Sequence, residues 1–227
     1  MSAVFEKDRA FDDRRDAGRR LAQLLLSSRP AGDIVVLGLP RGGVPVAWEI
    51  ARALDATLDV FVVRKLGTPG HPELAMGAIA SGSTRVINDD VVQSLGIARE
   101  QIEAVARREQ SELERRDAVY RQGRLLTPLA DRIVILVDDG LATGSTMRAA
   151  VQAVRQHAPS RVIVAVPVGA PETCRALREI ADEVVCAQTP SSFSAVGQWY
   201  RDFSQTTDDE VIALLKGRPE GRPLPSR

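Results

Sequence analysis

Short apolar runs alternate with stretches of helical spacing along the whole chain. Ala17, Leu21, Leu24 and Leu25 recur among Arg and Asp residues at intervals that predict an amphipathic helix over 11–26. IVVLGL (34–39) is too brief for a helix and rich in β-branched residues, so it reads as a buried strand. Helical spacing returns over 44–54, and LDVFVVRK (58–65) is expected as a second strand. From Gly67 to Gly82, Gly and Pro break every period. A long excursion is expected there, with a small hairpin made from 76–80 and 84–87. Residues 98–122 form the longest helical candidate, with Ile102, Val105, Ala106 and Leu113 set among charges. IVILVDD (133–139) is the clearest strand, followed by a helix starting at GSTMRAAVQAVRQH. VIVAVPV (162–168) and EVVC (183–186) are two more strands with a helix over 172–181 between them, and a last helix is expected over 207–215. There is no internal repeat. The tail KGRPEGRPLPSR has almost nothing to bury and is expected to be disordered.

Alternating buried strands and helices imply an α/β fold: a parallel β-sheet flanked by helices on both faces. On such sheets ligands bind beyond the C-terminal strand ends, where the strand order reverses. The chemistry is therefore expected in the turns after Leu39, Lys65, Asp139 and Cys186.

Composition adds mainly exclusions. With 227 residues, 44% hydrophobic and 26% charged, the chain has an ordinary globular balance and suits one domain with additions. At this length roughly 70% of the unfolded surface can be buried, so neither a metal nor a disulfide is needed for stability. Thirty basic residues cancel thirty acidic ones, which argues against a dedicated nucleic-acid binder. No apolar stretch approaches the ~20 residues that span a bilayer. The segment MSAVFEKDRAFDDRRD contains acidic residues and lacks the apolar core of a secretion signal, so a cytoplasmic protein is expected. Cys174 and Cys186 form no CxxC and have no His nearby, and are expected to be reduced.

The densest chemistry lies in ILVDDGLATGST (135–146). An apolar strand brings Asp138 and Asp139 to its end, and a small-residue turn then opens a helix. The amides of Ala142, Thr143, Gly144, Ser145 and Thr146 would form a nest at a helix N-terminus, which binds phosphate through oriented N–H groups and the helix dipole. Hydroxyls of Thr143, Ser145 and Thr146 can add donors. Carboxylates beside a phosphate cradle suit the vicinal hydroxyls of a ribose, so the string describes a ribose 5-phosphate site. The plainer alternative is a Thr-capped helix beside a solvated Asp pair. PRGG follows the first strand. Arg41 is a bidentate phosphate donor, and Gly42 and Gly43 allow an anion close to the backbone, although an ordinary turn with an exposed Arg has the same letters. Arg64 and Lys65 are either a charged strand end or further anion ligands. Phe193, Val196, Trp199 and Tyr200 either stack on a base or pack the C-terminal helix onto the body. His71 reads as a solvated loop residue. The charged helix over 98–122 is a solvated face or an oligomer contact.

VDDGLATGSTM resembles the phosphoribosyl-pyrophosphate (PRPP) motif of the type I phosphoribosyltransferases, its loop being nearest to the adenine-specific ones. LPRGGVPVA, RKLGTPGHPELAMGAI and FSAVGQWYRDFSQTTDDEV resemble a bacterial branch of that family with undefined acceptor, and the likeness covers about residues 10–215. Gly140 departs from the family's usual aliphatic residue. The resemblance implies a single domain over 1–215 with a flexible lid (66–84), a small C-terminal hood segment (187–205) and a tail (216–227). It implies a pentosyltransferase of nucleotide salvage that uses Mg²⁺, carried mainly by PRPP, as a homo-oligomer, expected to be a dimer. In the family the PRGG turn holds pyrophosphate, often through a cis peptide before the basic residue. Arg41, Gly42, Gly43, Arg64, Lys65, Asp138, Asp139 and residues 142–146 would then bind PRPP. Asp138, Asp139 and Arg41 would be catalytic, and Phe193, Val196 and Trp199 would face the acceptor. Ala142 stands where 6-oxopurine enzymes carry an Asp that shares the proton of the attacking nitrogen, so an acceptor outside the 6-oxopurines is expected. Two alternatives remain: a non-catalytic PRPP or nucleotide sensor on the same fold, and a phosphoacceptor receiver. The receiver fits poorly, because such domains place acidic residues after the first strand.

Overall fold

A computed structural model describes residues 10–28 and 32–217. Five strands form a parallel sheet: β1 (Ile34–Gly38), β2 (Thr57–Val60), β6 (Ile133–Val137), β7 (Arg161–Val168) and β8 (Glu183–Gln188), in the order β2-β1-β6-β7-β8. Helices are α1 (Arg14–Ser27), α2 (Gly43–Leu54), α3 (Asp89–Ser94), α4 (Arg99–Arg121), α5 (Ser145–Arg155), α6 (Pro171–Leu177) and α7 (Asp208–Lys216).

Strand side chains alternate between two apolar layers. Val36, Ile135, Val137, Ile163 and Ala165 face α1, α2, α4 and α7. Val35, Leu37, Val134, Leu136, Val162 and Val164 face α5 and α6. Both faces are therefore covered, which is why these strands read as continuous apolar runs and not as alternating ones. β1 lies between β2 and β6, so the chain leaves β1 in one direction and returns on its other side. The switch point lies at the C-terminal ends of β1 and β6.

Several expectations need correction. The strand expected over 58–65 is two strands in two sheets. The chain leaves the parallel sheet after the Phe61 amide bonds Gly38 carbonyl at 3.1 Å, and the Val62 amide then donates to Ser81 Oγ at 2.9 Å. β3 (Val63–Thr68) pairs instead with β4 (His71–Ala80), which pairs with β5 (Thr84–Ile87), all antiparallel. Lys65 thus sits within β3 and does not end a parallel strand. The irregular excursion is this three-stranded sheet, and Leu66, Met76 and Ile79 lock it into the main core. A lid over all of 66–84 would have to expose those three side chains. The tip around Gly70, with exposed His71 and Leu74, can open without that cost. α1 buries Ala17, Leu21 and Leu25 but leaves Leu24 46% exposed. α6 stops at Leu177, before the expected 181. Cys174 of α6 and Cys186 of β8, expected to be reduced, are brought face to face although 12 residues apart in sequence. Of the expected disordered tail, 218–227 lies outside the described residues. Among those described, no helix is long and apolar enough to cross a membrane.

Candidate functional site

The two strongest motifs meet at the switch point. The PRGG turn leaves β1 with the Leu39 amide bonded to Val137 carbonyl at 2.9 Å, and the Gly43 amide closes back on Leu39 carbonyl at 3.0 Å. The Pro40–Arg41 peptide is cis, as the resemblance implies. An ideal Cβ on Gly43 would lie 2.5 Å from Val137 carbonyl oxygen and 2.9 Å from Asp138 Cα. One on Gly42 would lie 2.0 Å from Asp139 Oδ2. Only glycines let the turn lie directly on the aspartate pair. Arg41 is partly exposed, and its nearest carboxylate is Asp208 of α7 at a loose 3.9 Å.

Asp138 and Asp139 follow β6 and are largely buried. Asp138 Oδ1 accepts the Asp139 amide at 2.9 Å. Burial, and then the charge on Asp139, push the Asp138 carboxyl well above its ordinary range. Burial raises Asp139 as well, offset by hydrogen-bonded Arg14. The loop beyond is braced by Leu141, whose amide and carbonyl bond Val168 and Ala170 of the neighbouring β7 segment at 2.9 Å each. Thr173 Oγ1 donates to Ala142 carbonyl at 2.7 Å. Gly144 caps α5 at φ +70, a conformation that glycine adopts without strain. Among the described residues the amides of Ala142, Thr143 and Gly144 have no backbone acceptor. Ala142, Thr143, Ser145 and Thr146 are exposed. This is an open donor nest at a helix start, beside two carboxylates and a glycine turn.

The other candidates lie around this centre. Arg64 is committed to Glu109 of α4, at 2.6 and 3.0 Å. Lys65 lines a groove between the antiparallel sheet and α5, together with Ser145 and Arg148. Trp199 is buried with Phe11, Ala17, Val168 and Tyr200, and Phe193 and Val196 pack against that cluster. Trp199 therefore packs its own segment against α1 and β7, and not the C-terminal helix as the packing alternative had it. Val196 occupies the space that a side chain at Gly140 would need, 2.5 Å from an ideal Cβ. The departure from an aliphatic residue is thus filled from another segment.

Two further residues touch the pair: Arg14, which no motif marks, and Tyr200, expected only as a stacking or packing aromatic. Arg14 Nε donates to Asp139 Oδ2 at 2.8 Å, and its guanidinium lies 4.0 Å from the Phe203 ring centre. The Tyr200 hydroxyl donates to Asp139 carbonyl, and burial raises its pKa far beyond any working pH. Arg14 is one of five arginines between positions 9 and 20, and nothing in that string separates it from its solvated neighbours.

The family profile described as the phosphoribosyl transferase domain matches residues 11–204, from the Phe11 contact to the Arg14–Ser204 contact. The chain belongs to the phosphoribosyl transferase family. Two Mycobacterium tuberculosis proteins, from strains CDC 1551 and ATCC 25618 and each named "Putative phosphoribosyl transferase", are 54% identical over 207 residues. The match covers 90% of this chain and 46% of each relative, so the chain spans about half the length of those phosphoribosyl transferase relatives. A crystal structure of TT1426 from Thermus thermophilus is 45% identical, with a TM-score of 0.84, covering 91% of this chain and 97% of that one.

Proposed function

We propose that this chain binds PRPP across the β1–β6 switch point and transfers its 5-phosphoribosyl group to a nitrogenous acceptor, a nucleobase, releasing pyrophosphate. The observation that carries the reading is the packing of the PRGG turn onto the aspartate pair. It puts an anion-tolerant backbone and Arg41 on one side of two carboxylates that themselves adjoin an open amide nest. One ligand that carries a pyrophosphate, vicinal hydroxyls and a terminal phosphate satisfies all three features.

In this reading residues 142–146 anchor the 5-phosphate, and Asp138 and Asp139 accept the ribose hydroxyls. Arg41 with the Gly42–Gly43 backbone receives the pyrophosphate. The acceptor nitrogen forms the new bond to the ribose carbon as the bond to the pyrophosphate oxygen breaks. The electron pair of that bond leaves with pyrophosphate, and an acceptor nitrogen that carries a proton releases it to water. The protein's task is to orient the partners and to stabilise charge with groups already in place. The hard oxygen donors of the site are the two aspartates, and Asp139 Oδ2 is bound to Arg14. Such a set suits Mg²⁺ carried on the substrate's own oxygens, with one or two protein carboxylates in reach. When bound, the ion neutralises charge on the departing pyrophosphate.

Ala142 offers no acceptor for the proton of an attacking purine nitrogen, and its carbonyl is occupied by Thr173. Without a general base a factor of about 10²–10⁴ is typically lost, which favours acceptors outside the 6-oxopurines, with adenine the first to test. Pyrophosphate release is measured with PRPP, Mg²⁺ and a panel of purines, pyrimidines and nicotinate, alongside calorimetric PRPP binding. Turnover of one non-oxopurine base is expected. PRPP binding with no release for any acceptor would favour the sensor. Equal PRPP affinity in wild type and a folded Asp138→Asn/Asp139→Asn double mutant would sink the reading.

A further inference from the structure

The parallel sheet supplies the aspartate pair but not the charge that balances it. That charge comes from Arg14, 125 residues earlier, on the first turn of α1. Besides its bond to Asp139 Oδ2, it donates from a terminal guanidinium nitrogen to Ser204 carbonyl at 2.6 Å and lies over the Phe203 ring. Its side chain is 11% exposed and that of Asp139 16%. The segments around it are tied together. The Phe11 amide donates to Trp199 carbonyl and the Arg201 amide to Phe11 carbonyl, both at 2.8 Å. The Tyr200 ring lies between those of Phe11 and Phe203, at 5.4 and 5.0 Å. A guanidinium held from three directions and largely out of water is unlike a mobile surface ion pair, whose contribution is small.

This arrangement makes two adjacent aspartates unequal. Oδ2 of Asp139 is taken by Arg14 and lies against Gly42, so Oδ1 is the oxygen left for a ligand. Asp138 makes no ion pair among the described residues and accepts only the Asp139 amide. We propose that Arg14 is a positioning residue of the sugar site: it fixes the Asp139 carboxylate by Oδ2 and so presents the other oxygen to a ribose hydroxyl. The proposal rests on the PRPP reading above. The carboxyl shifts run the same way, since burial raises both groups and Arg14 offsets the rise at Asp139 most directly, through its hydrogen bond. The other groups around Asp139 are Asp138 on its own strand end, the Tyr200 hydroxyl on its carbonyl, and Asp202 within the field of Arg14. The facing turn brings Gly42 against Oδ2 and carries Arg41 next to it.

The test uses the full chain. PRPP affinity should fall about 10- to 100-fold in Arg14→Met, the size of one charge-assisted hydrogen bond. Most of it should recover in Arg14→Lys, which returns a cation to Asp139. Arg14→Gln, which keeps a donor for Ser204 without the charge, replaces Arg14→Met if the latter does not fold. Wild type that binds no PRPP overturns the reading beneath the proposal. Wild type that binds it, with a folded Arg14→Met equal to it in affinity or a folded Arg14→Lys no better than Arg14→Met, overturns the proposal alone.

Discussion

Gly42 and Asp139 nearly share one volume, since a methyl group on Gly42 would sit 2.0 Å from Asp139 Oδ2 and 3.2 Å from Arg14 Nε. Gly42→Ala must push the carboxylate, the arginine or the turn aside. It is expected to destabilise the fold by about 1–3 kcal/mol, as overpacking does, and to weaken PRPP binding at least about tenfold. Urea denaturation and calorimetry check the two effects. Asp138 gives a prediction of the opposite sign. Its carboxyl is raised by burial and by Asp139, so the folded state holds that proton more tightly than the unfolded chain does. The associated stability is complete below the ordinary carboxylate pKa of about 4 and is lost as pH rises through the elevated folded value. Asp138→Asn removes that loss. It should be more stable than wild type at neutral pH by about 0.5–2 kcal/mol, the usual size of a stabilising substitution, with the gain shrinking towards acid pH and PRPP binding impaired. Denaturant midpoints across pH decide it. The aspartate pair and the glycine turn were legible in the sequence because each follows an apolar strand that predicts where its residues emerge. Arg14 was not, because its partner is chosen by the path of the chain and not by local spacing.

β2 and α4 show what apolar pattern leaves undecided at the scale of elements. Asp59 sits within the buried strand β2, where Arg121 at the end of α4 clamps both its oxygens at 2.8 and 2.9 Å and also donates to Val60 carbonyl at 2.5 Å. The Thr127 amide adds a bond to Asp59 Oδ2 at 2.9 Å. Breaking one side of a buried ion pair costs about 3–5 kcal/mol when the other charge is left alone. Arg121 keeps Asp117 Oδ1 at 3.2 Å, so Asp59→Ala should cost at most that much, read as a lower urea midpoint with little change in slope. A much smaller loss would mean that Asp117 or water takes over the freed guanidinium. The same region explains why one expected strand became two. LDVFVVRK is apolar enough to be a central strand throughout, but Ser81 pairs with Val62 on both its amide and its hydroxyl and draws the second half into another sheet. Periodicity reports burial and cannot name the partner. Gly140 and Val196 make the complementary case. Gly140→Val would drive a side chain into Val196 and should displace the 193–199 segment, observable as increased proteolysis there and a lower melting temperature.

At the scale of the molecule the candidate site draws on the start of the chain at Arg14, the turn after β1, the loop after β6 and the segment through Phe203. A ligand that bridges them should stabilise the whole fold, because it binds the assembled state and not the unfolded chain. At about 100 times its dissociation constant, Mg-PRPP is expected to add about 2.7 kcal/mol, seen as a rise in melting temperature. The rise should vanish in Asp138→Asn/Asp139→Asn and diminish when a chelator removes Mg²⁺. The sequence by itself determined the layer architecture, since strands buried on both faces alternate with amphipathic helices. It also determined the position of the phosphate-type loop, since a helix start and its small residues are contiguous. Only the tertiary structure decided which of many arginines balances Asp139, that Trp199 serves packing, that Arg64 is bound to Glu109, and that Cys174 meets Cys186. Each of those contacts joins elements distant along the chain. Their partners are selected by how layers pack, and a local pattern contains no term for that.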